Sequence, residues 1–234
     1  MRLRTTTVLS LSVLIVLALT GCSTDSADSI DQTPSATVSV RPDGKSPASA
    51  PLSSAALAKR LLDESDLGEG YNRTPRRPAQ HDDVTVIGCP ALEKLGSEAA
   101  IGGSFDFPHQ AKASFTYAGG SDSEVGEELY SDTEDKLSRS VDRIFEAMTS
   151  CPTYQVLTGS TAVTVATRKV FVARLGDEQW SQLLTFDAGG RSSIVKQTAV
   201  RTGTVVVVVS GSPGVVDAHV RKAVAKATVV RTAG

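Results

Sequence analysis

Hydrophobic positions divide the chain into three regimes. Val8 to Leu19 is a 12-residue apolar run broken only by Ser10 and Ser12. From Ser23 to about Leu52 the chain is rich in Ser, Thr, Ala, Asp and Pro, with scattered Ile and Val and no aromatic residue. Such a stretch buries too little apolar surface to offset chain entropy and is expected to be disordered. Beyond it, periodic patterns take over. Leu57, Leu61 and Leu62 share one helical face while Lys59, Arg60, Asp63 and Glu64 stay wet, which predicts a helix from about Ser54 to Ser65. Gly68 and Gly70 end it, and Pro75 and Pro78 keep the next segment extended after Tyr71. Pro90 after Cys89 and Gly96 beyond Leu95 bracket one or two helical turns.

The clearest helix comes later. Leu137, Val141, Ile144, Phe145 and Met148 recur at helical spacing, Ser131 and Glu134 have the spacing of a capping box, and Cys151-Pro152 ends the run. A last helix is expected from about Pro213 to Val230, with Ser212 as cap and Val216, Val220, Ala223 and Ala227 as its buried stripe. Strand patterns fill the rest: Val84 to Ile87, Ala113 to Ala118, Glu124 to Tyr130, Tyr154 to Leu157, Ala162 to Val172, Gln179 to Phe186, Ser193 to Val200 and Thr204 to Ser210. In the second of these Phe115 and Tyr117 share one face while Ser114 and Thr116 share the other. Val205 to Val209 is five valines in a row, apolar on both faces, which predicts a central strand covered on both sides. Helix, strands, long helix, strands, helix is not a βαβ alternation. The expected class is α+β, a single domain with an antiparallel sheet of about six strands flanked by helices.

The leader changes the picture of where this domain sits. Arg2 and Arg4 precede the apolar run, which is too short for the ~20 residues of a spanning helix but suits a signal peptide. Leu19-Thr20-Gly21-Cys22 then resembles the lipobox of bacterial lipoproteins. That resemblance implies removal of residues 1–21, lipidation of the Cys22 thiol, and a cell-membrane, extracytoplasmic location. Two acyl chains suffice for stable anchoring where one is marginal. Residues 22–52 become a lipidated tether with an r.m.s. span of roughly 30 Å, and 53–234 the domain it carries. The membrane, through that anchor, is the first expected partner.

Charge and candidate chemistry narrow the function by exclusion. The chain has 24 basic and 26 acidic residues, and losing Arg2 and Arg4 leaves 22 against 26, a net of −4. No basic cluster argues for nucleic acid. With Cys22 lipidated, Cys89 and Cys151 remain in an oxidising compartment with one intramolecular pairing open to them. A bond between them would pin the short helix to the long one. No C-x-x-C, G-x-S-x-G, H-E-x-x-H, P-loop or Rossmann glycine pattern occurs. His81 with Asp82 and Asp83 reads as a solvated loop, Ser121 to Glu124 as a hairpin turn, and Gly176-Asp177-Glu178 as a tight turn. No metal, cofactor or catalytic residue is assigned, and the chain is read as a non-enzyme.

Taken together, several landmarks look like the PknH-like extracellular sensor-domain family. They are the Leu61-Leu62 helix followed by Gly70-Tyr71, Cys89-Pro90-Ala91-Leu92, Cys151 after an amphipathic helix, Gly176-Asp177-Glu178 with Trp180, and Arg201-Thr202-Gly203 leading into the valine strand. The resemblance implies a curved antiparallel sheet flanked by helices and a cleft for an extracellular ligand. This chain departs from the family pattern in lacking cysteines for a second disulfide and in carrying no kinase domain. The expected function is a ligand-binding or sensor-like module for an unknown envelope ligand. The alternative is an envelope scaffold acting through protein contacts. Tyr117, Arg168, Trp180 and Arg201 are the candidate ligand contacts, because they place aromatic or cationic groups in strands. The two arginines are expected on solvent-facing sides of the sheet.

Overall fold

The computed structural model describes residues 50–75, 84–96, 107–119 and 124–229. Cys22, the tether up to residue 49, His81 with its two aspartates and the Gly120–Ser123 part of the hairpin turn lie outside these residues. Nine strands form one open antiparallel sheet: β1 (Tyr71–Arg73), β2 (Val84–Ile87), β3 (His109–Tyr117), β4 (Glu124–Ser131), β5 (Thr153–Thr158), β6 (Thr161–Lys169), β7 (Glu178–Ala188), β8 (Arg191–Thr202) and β9 (Val205–Gly211). Their order across the sheet is β1-β3-β4-β9-β8-β7-β6-β5-β2. The helices are α1 (Ser54–Ala58), α2 (Glu64–Leu67), α3 (Pro90–Glu93), α4 (Glu134–Ser150) and α5 (Pro213–Thr228).

The α+β class stands, with nine strands where about six were expected. All eight strand patterns read from the sequence form strands, β2 over the expected Val84 to Ile87, where it pairs with β5 as an outer strand. The strand without a pattern of its own is three-residue β1, which pairs with β3 at the other edge. A segment this short becomes a strand by docking on a preformed edge.

The valine strand organises the packing. β9 sits between β4 and β8, and Val205 to Val209 are all buried. Because side chains alternate across a strand, Val205, Val207 and Val209 point to one face, where they pack with Leu57, Leu62 and the Val216, Val220, Ala223, Ala227 stripe of α5. Val206 and Val208 point to the other, against Leu137, Val141 and Phe145 of α4. The first face is thus covered by α1, α2 and α5 over β3, β4, β9 and β8. The second is covered by α4 over β9 to β6, with α3 over β2. A third cluster joins α4 and α3 to Tyr154, Val165 and Leu184. The two layers are offset, so each sheet face keeps one half without a described helix on it.

Two expected helix features changed. The helix from Ser54 to Ser65 is broken in two, and Leu61 and Leu62 are buried in the connection between α1 and α2. Asp63 caps α2 through a reciprocal capping box with Asp66, which starts a new helix there. The Ser131–Glu134 capping box does not form. Ser131 is the last residue of β4, where its hydroxyl donates to Thr204 O at 2.6 Å and accepts from Leu52 N at 2.8 Å. Thr133 occupies the N-cap position of α4 instead. Cys89 and Cys151 are joined as a disulfide, their Cα atoms 5.7 Å apart, tying the start of α3 to the end of α4. Among the described residues, the hydrophobic clusters and this bond fall within residues 52–227, inside the compact unit that begins at Lys45.

Candidate functional site

On the uncovered half of the second face, β3, β4 and β9 form the floor of a cleft of about 650 Å³. The alternation of β3 sends Lys112 and Ser114 to this side and Ala113 and Phe115 into the core. Register then aligns Ser114, Gly126 and Ser210 in one row across three neighbouring strands. These are among the smallest side chains available, and the floor lies low because of them. A Cβ on Gly126 would sit 2.7 Å from Ser210 Oγ, so a larger residue at this position would push the serine aside.

Charged groups stand beside that floor. Lys112 Nζ lies 3.1 Å from Glu128 Oε1 and 5.5 Å from the centre of the Tyr130 ring. The Tyr130 hydroxyl donates to the other Glu128 oxygen. Glu128 is thereby held by two donors. The paired hydroxyls of Thr74 and Thr116, 2.7 Å apart, flank the β1 side, while the Arg73 guanidinium turns to the other face, 5.7 Å from the Phe115 ring. The volume falls in the ~300–1,000 Å³ range of small-molecule sites. Among the described residues the lining combines donors (Lys112, Ser114, Ser210) with acceptors (Glu124, Glu128) and presents no aromatic ring.

The four residues proposed from sequence do not converge on this cleft. Tyr117 stacks on Tyr71, ring centres 5.1 Å apart, at the β1 edge. Arg168 is exposed near the end of β6. Trp180 packs against Phe145 and donates its indole N–H to Asp142 Oδ1 at 2.5 Å, holding α4 to the sheet. Arg201 corrects the expectation of solvent exposure: it is 8% exposed. Its Nε lies 2.7 Å from Glu178 Oε2, its Nη1 3.4 Å from Asp177 Oδ2, and Nη1 also donates to Gly203 O at 3.0 Å. Asp177 in turn accepts from Gly203 N at 2.7 Å. Glu178, bonded also by Ser138 of α4, is held below the usual carboxylate range chiefly by the Arg201 hydrogen bond. The cation is buried because its carboxylates come with it. Gly176 is needed here for close approach, since a Cβ would meet Arg201 O at 2.5 Å. The Gly176-Asp177-Glu178 and Arg201-Thr202-Gly203 landmarks are therefore two halves of one lock between β7, β8 and the β8–β9 turn.

Sequence reasoning missed Lys112, Glu128 and Ser210. The alternation in β3 and β4 was a usable signal for the first two. The row formed with Ser210 depends on strands 84 residues apart pairing in one register. Of the histidines within the described residues, His109 opens β3, and His219 on α5 sits edge-on to Tyr71 with its pKa lowered by burial. Neither is hydrogen-bonded to a serine or a carboxylate among the described residues. No three His, Cys, Asp or Glu side chains among them are placed to share a metal ion.

No family model matches the chain, and no curated protein matches it. Among solved structures, the crystal structure of the extracellular domain of PknH from Mycobacterium tuberculosis is similar, with a TM-score of 0.56. The match covers 75% of this chain and 98% of that chain at 14% sequence identity. At that identity the likeness is one of fold: this chain shares the architecture of an extracellular domain.

Proposed function

We propose that the protein is an extracytoplasmic binding module, tethered to the cell membrane through lipidated Cys22, that takes a small polar envelope ligand in the β3–β4–β9 cleft. The cleft carries this reading: a concave, hydrogen-bonding surface of suitable volume, built on rigid strands and left uncovered by the helices. Its paired charges and small hydroxyl floor favour a ligand rich in hydroxyl or amide groups over an apolar one. The fold likeness to an extracellular domain supports the placement outside the cell. No helix among the described residues is long and apolar enough to cross a membrane. A domain that senses or delivers such a ligand needs no reaction, and no nucleophile with an adjacent base is assembled among the described residues.

The test is a thermal-shift screen of residues 45–234 against soluble glycans, wall fragments and headgroup analogues. One class should raise Tm saturably, and Lys112→Ala or Ser210→Leu should abolish that rise while leaving the unliganded Tm near its starting value. Turnover of any of these compounds by the purified domain would replace the binding reading with an enzymatic one. Saturable stabilisation unchanged by both substitutions would move the site elsewhere.

A further inference from the structure

Between β6 and β7 the chain leaves the sheet as Arg168-Lys169-Val170-Phe171-Val172-Ala173-Arg174. Phe171 is 91% exposed and Val172 38% exposed, among the few large apolar side chains the described domain leaves in water. Arg168, Lys169 and Arg174 are exposed on either side of them, and residues 168–176 contain no carboxylate. None of the three cations is ion-paired among the described residues; Arg174 donates only to the main-chain Asp177 O, at 2.5 Å. The loop is held at its ends. Val170 N donates to Ser181 O at 2.8 Å, and Leu175 N to Gln179 Oε1 at 2.8 Å. Its Val172 and Ala173 share a depression with Val220 and Arg221 of α5 and with the Lys196–Asp217 ion pair, which leaves Arg221 as the one added positive charge there not matched by that carboxylate. In a chain with more acidic than basic residues, this is a basic tip with an apolar point.

We infer that the 168–174 loop is a membrane-contact site, in which the Phe171 ring enters the boundary between headgroups and acyl chains of an anionic bilayer while Arg168, Lys169 and Arg174 engage the headgroups. The charge is complementary to acidic lipids, and the geometry suits insertion. One ring and half a valine offer far less apolar area than the ~800 Å² each partner contributes to a stable protein interface. A bilayer needs only such a tip, because the apolar group descends ~5–10 Å while basic residues stay at the surface. Each basic residue near an anionic surface strengthens binding roughly fivefold. The inference draws on the tethered reading in one respect: an anchor at Cys22 would keep the bilayer within reach and raise the loop's effective concentration there.

Residues 45–234, without the lipid, separate the two ideas. In co-sedimentation this unit should bind vesicles carrying about 30 mol % phosphatidylglycerol but not pure phosphatidylcholine, and binding should weaken steeply as salt rises. Phe171→Ser should lower the partition coefficient about tenfold and Arg168→Glu/Lys169→Glu should abolish binding. Phe171→Trp should restore it and show a blue-shifted, vesicle-dependent emission absent from the parent's Trp180. Circular dichroism and an intact disulfide check that each variant is folded. Equal affinity of parent and Phe171→Ser for anionic vesicles, or no binding at low salt, would overturn the proposal. So would concentration-dependent dimerisation that Phe171→Ser abolishes, which would make the loop a self-association site. A free thiol at Cys22 in the native protein would end the anchor and leave this result untouched.

Discussion

Glu127 is the residue whose environment most opposes its charge. It is fully buried on the first face of β4, between the sheet and the α1–α2 connection, where its Oε2 accepts from Leu62 N at 2.6 Å. Its Oε1 has no hydrogen-bond partner among the described residues. Burial pushes its pKa up to about 7, outweighing the Leu62 N–H bond and the nearby Lys226 and Arg73, while Asp66 pushes the same way. An acid whose folded pKa lies above its unfolded value adds most stability when protonated in both states. Folding is then favoured below about pH 4.5 and loses roughly 3 kcal/mol as pH climbs through 7. Glu127→Gln keeps the bond to Leu62 N and removes the buried charge. Urea denaturation should show it more stable than the parent at pH 8 and equal to it near pH 4, and parallel pH profiles for the two proteins would dismiss the argument.

At the level of elements, the disulfide and the α4 packing carry the second face. Cys89 and Cys151 are 62 residues apart, and closing a loop of that size constrains the unfolded chain by about 4 kcal/mol in the chain-entropy account. Cys89→Ser/Cys151→Ser should therefore lower the denaturation midpoint substantially, by around 4 kcal/mol in extrapolated free energy. A loss below about 1 kcal/mol would mean that α3 and α4 hold together without the bond. The first face uses ion pairs instead: Lys226 of α5 meets Asp63, at 2.7 Å, and Asp66 of α2. That contact drives the Asp63 pKa well below the ordinary carboxylate range, chiefly through the Lys226 hydrogen bond. These groups are partly solvated, so their net stabilisation is small.

For the whole molecule, the offset of the helical layers leaves two candidate surfaces, one beside each open half of the sheet. The cleft occupies the open half beside β3 and β4, while the 168–174 loop borders the open half beside β6 and β7. How the domain is held in place is a question for its first residues. Cys22→Ala is expected to move the protein from the membrane fraction to the medium, or to leave an unprocessed precursor. Intact-mass measurement of the native protein should find a diacylglyceryl group on Cys22, and a bare thiol there would refute the anchor.

Much of this architecture was legible without coordinates because it rests on local periodicity. The five valines required two-sided burial wherever they lay, and the stripes of α4 and α5 announced which faces would pack. With Cys22 read as the lipidation site, Cys89 and Cys151 left one partner each. What needed tertiary structure was everything set by register between distant segments. Ser114, Gly126 and Ser210 are unremarkable in sequence and become a cleft floor only because β3, β4 and β9 pair with those residues in one row. Arg201 looked solvent-facing because a strand cation is costly to bury alone, and the carboxylates that permit it arrive from 23 and 24 residues away. The helix expected over Ser54 to Ser65 broke for a related reason. Its leucines had to follow the surface of the sheet, and Glu127 on β4 supplies the acceptor that Leu62 N–H then requires. Periodicity is a property of a few turns of chain, whereas these contacts exist only after the ends of the chain have met.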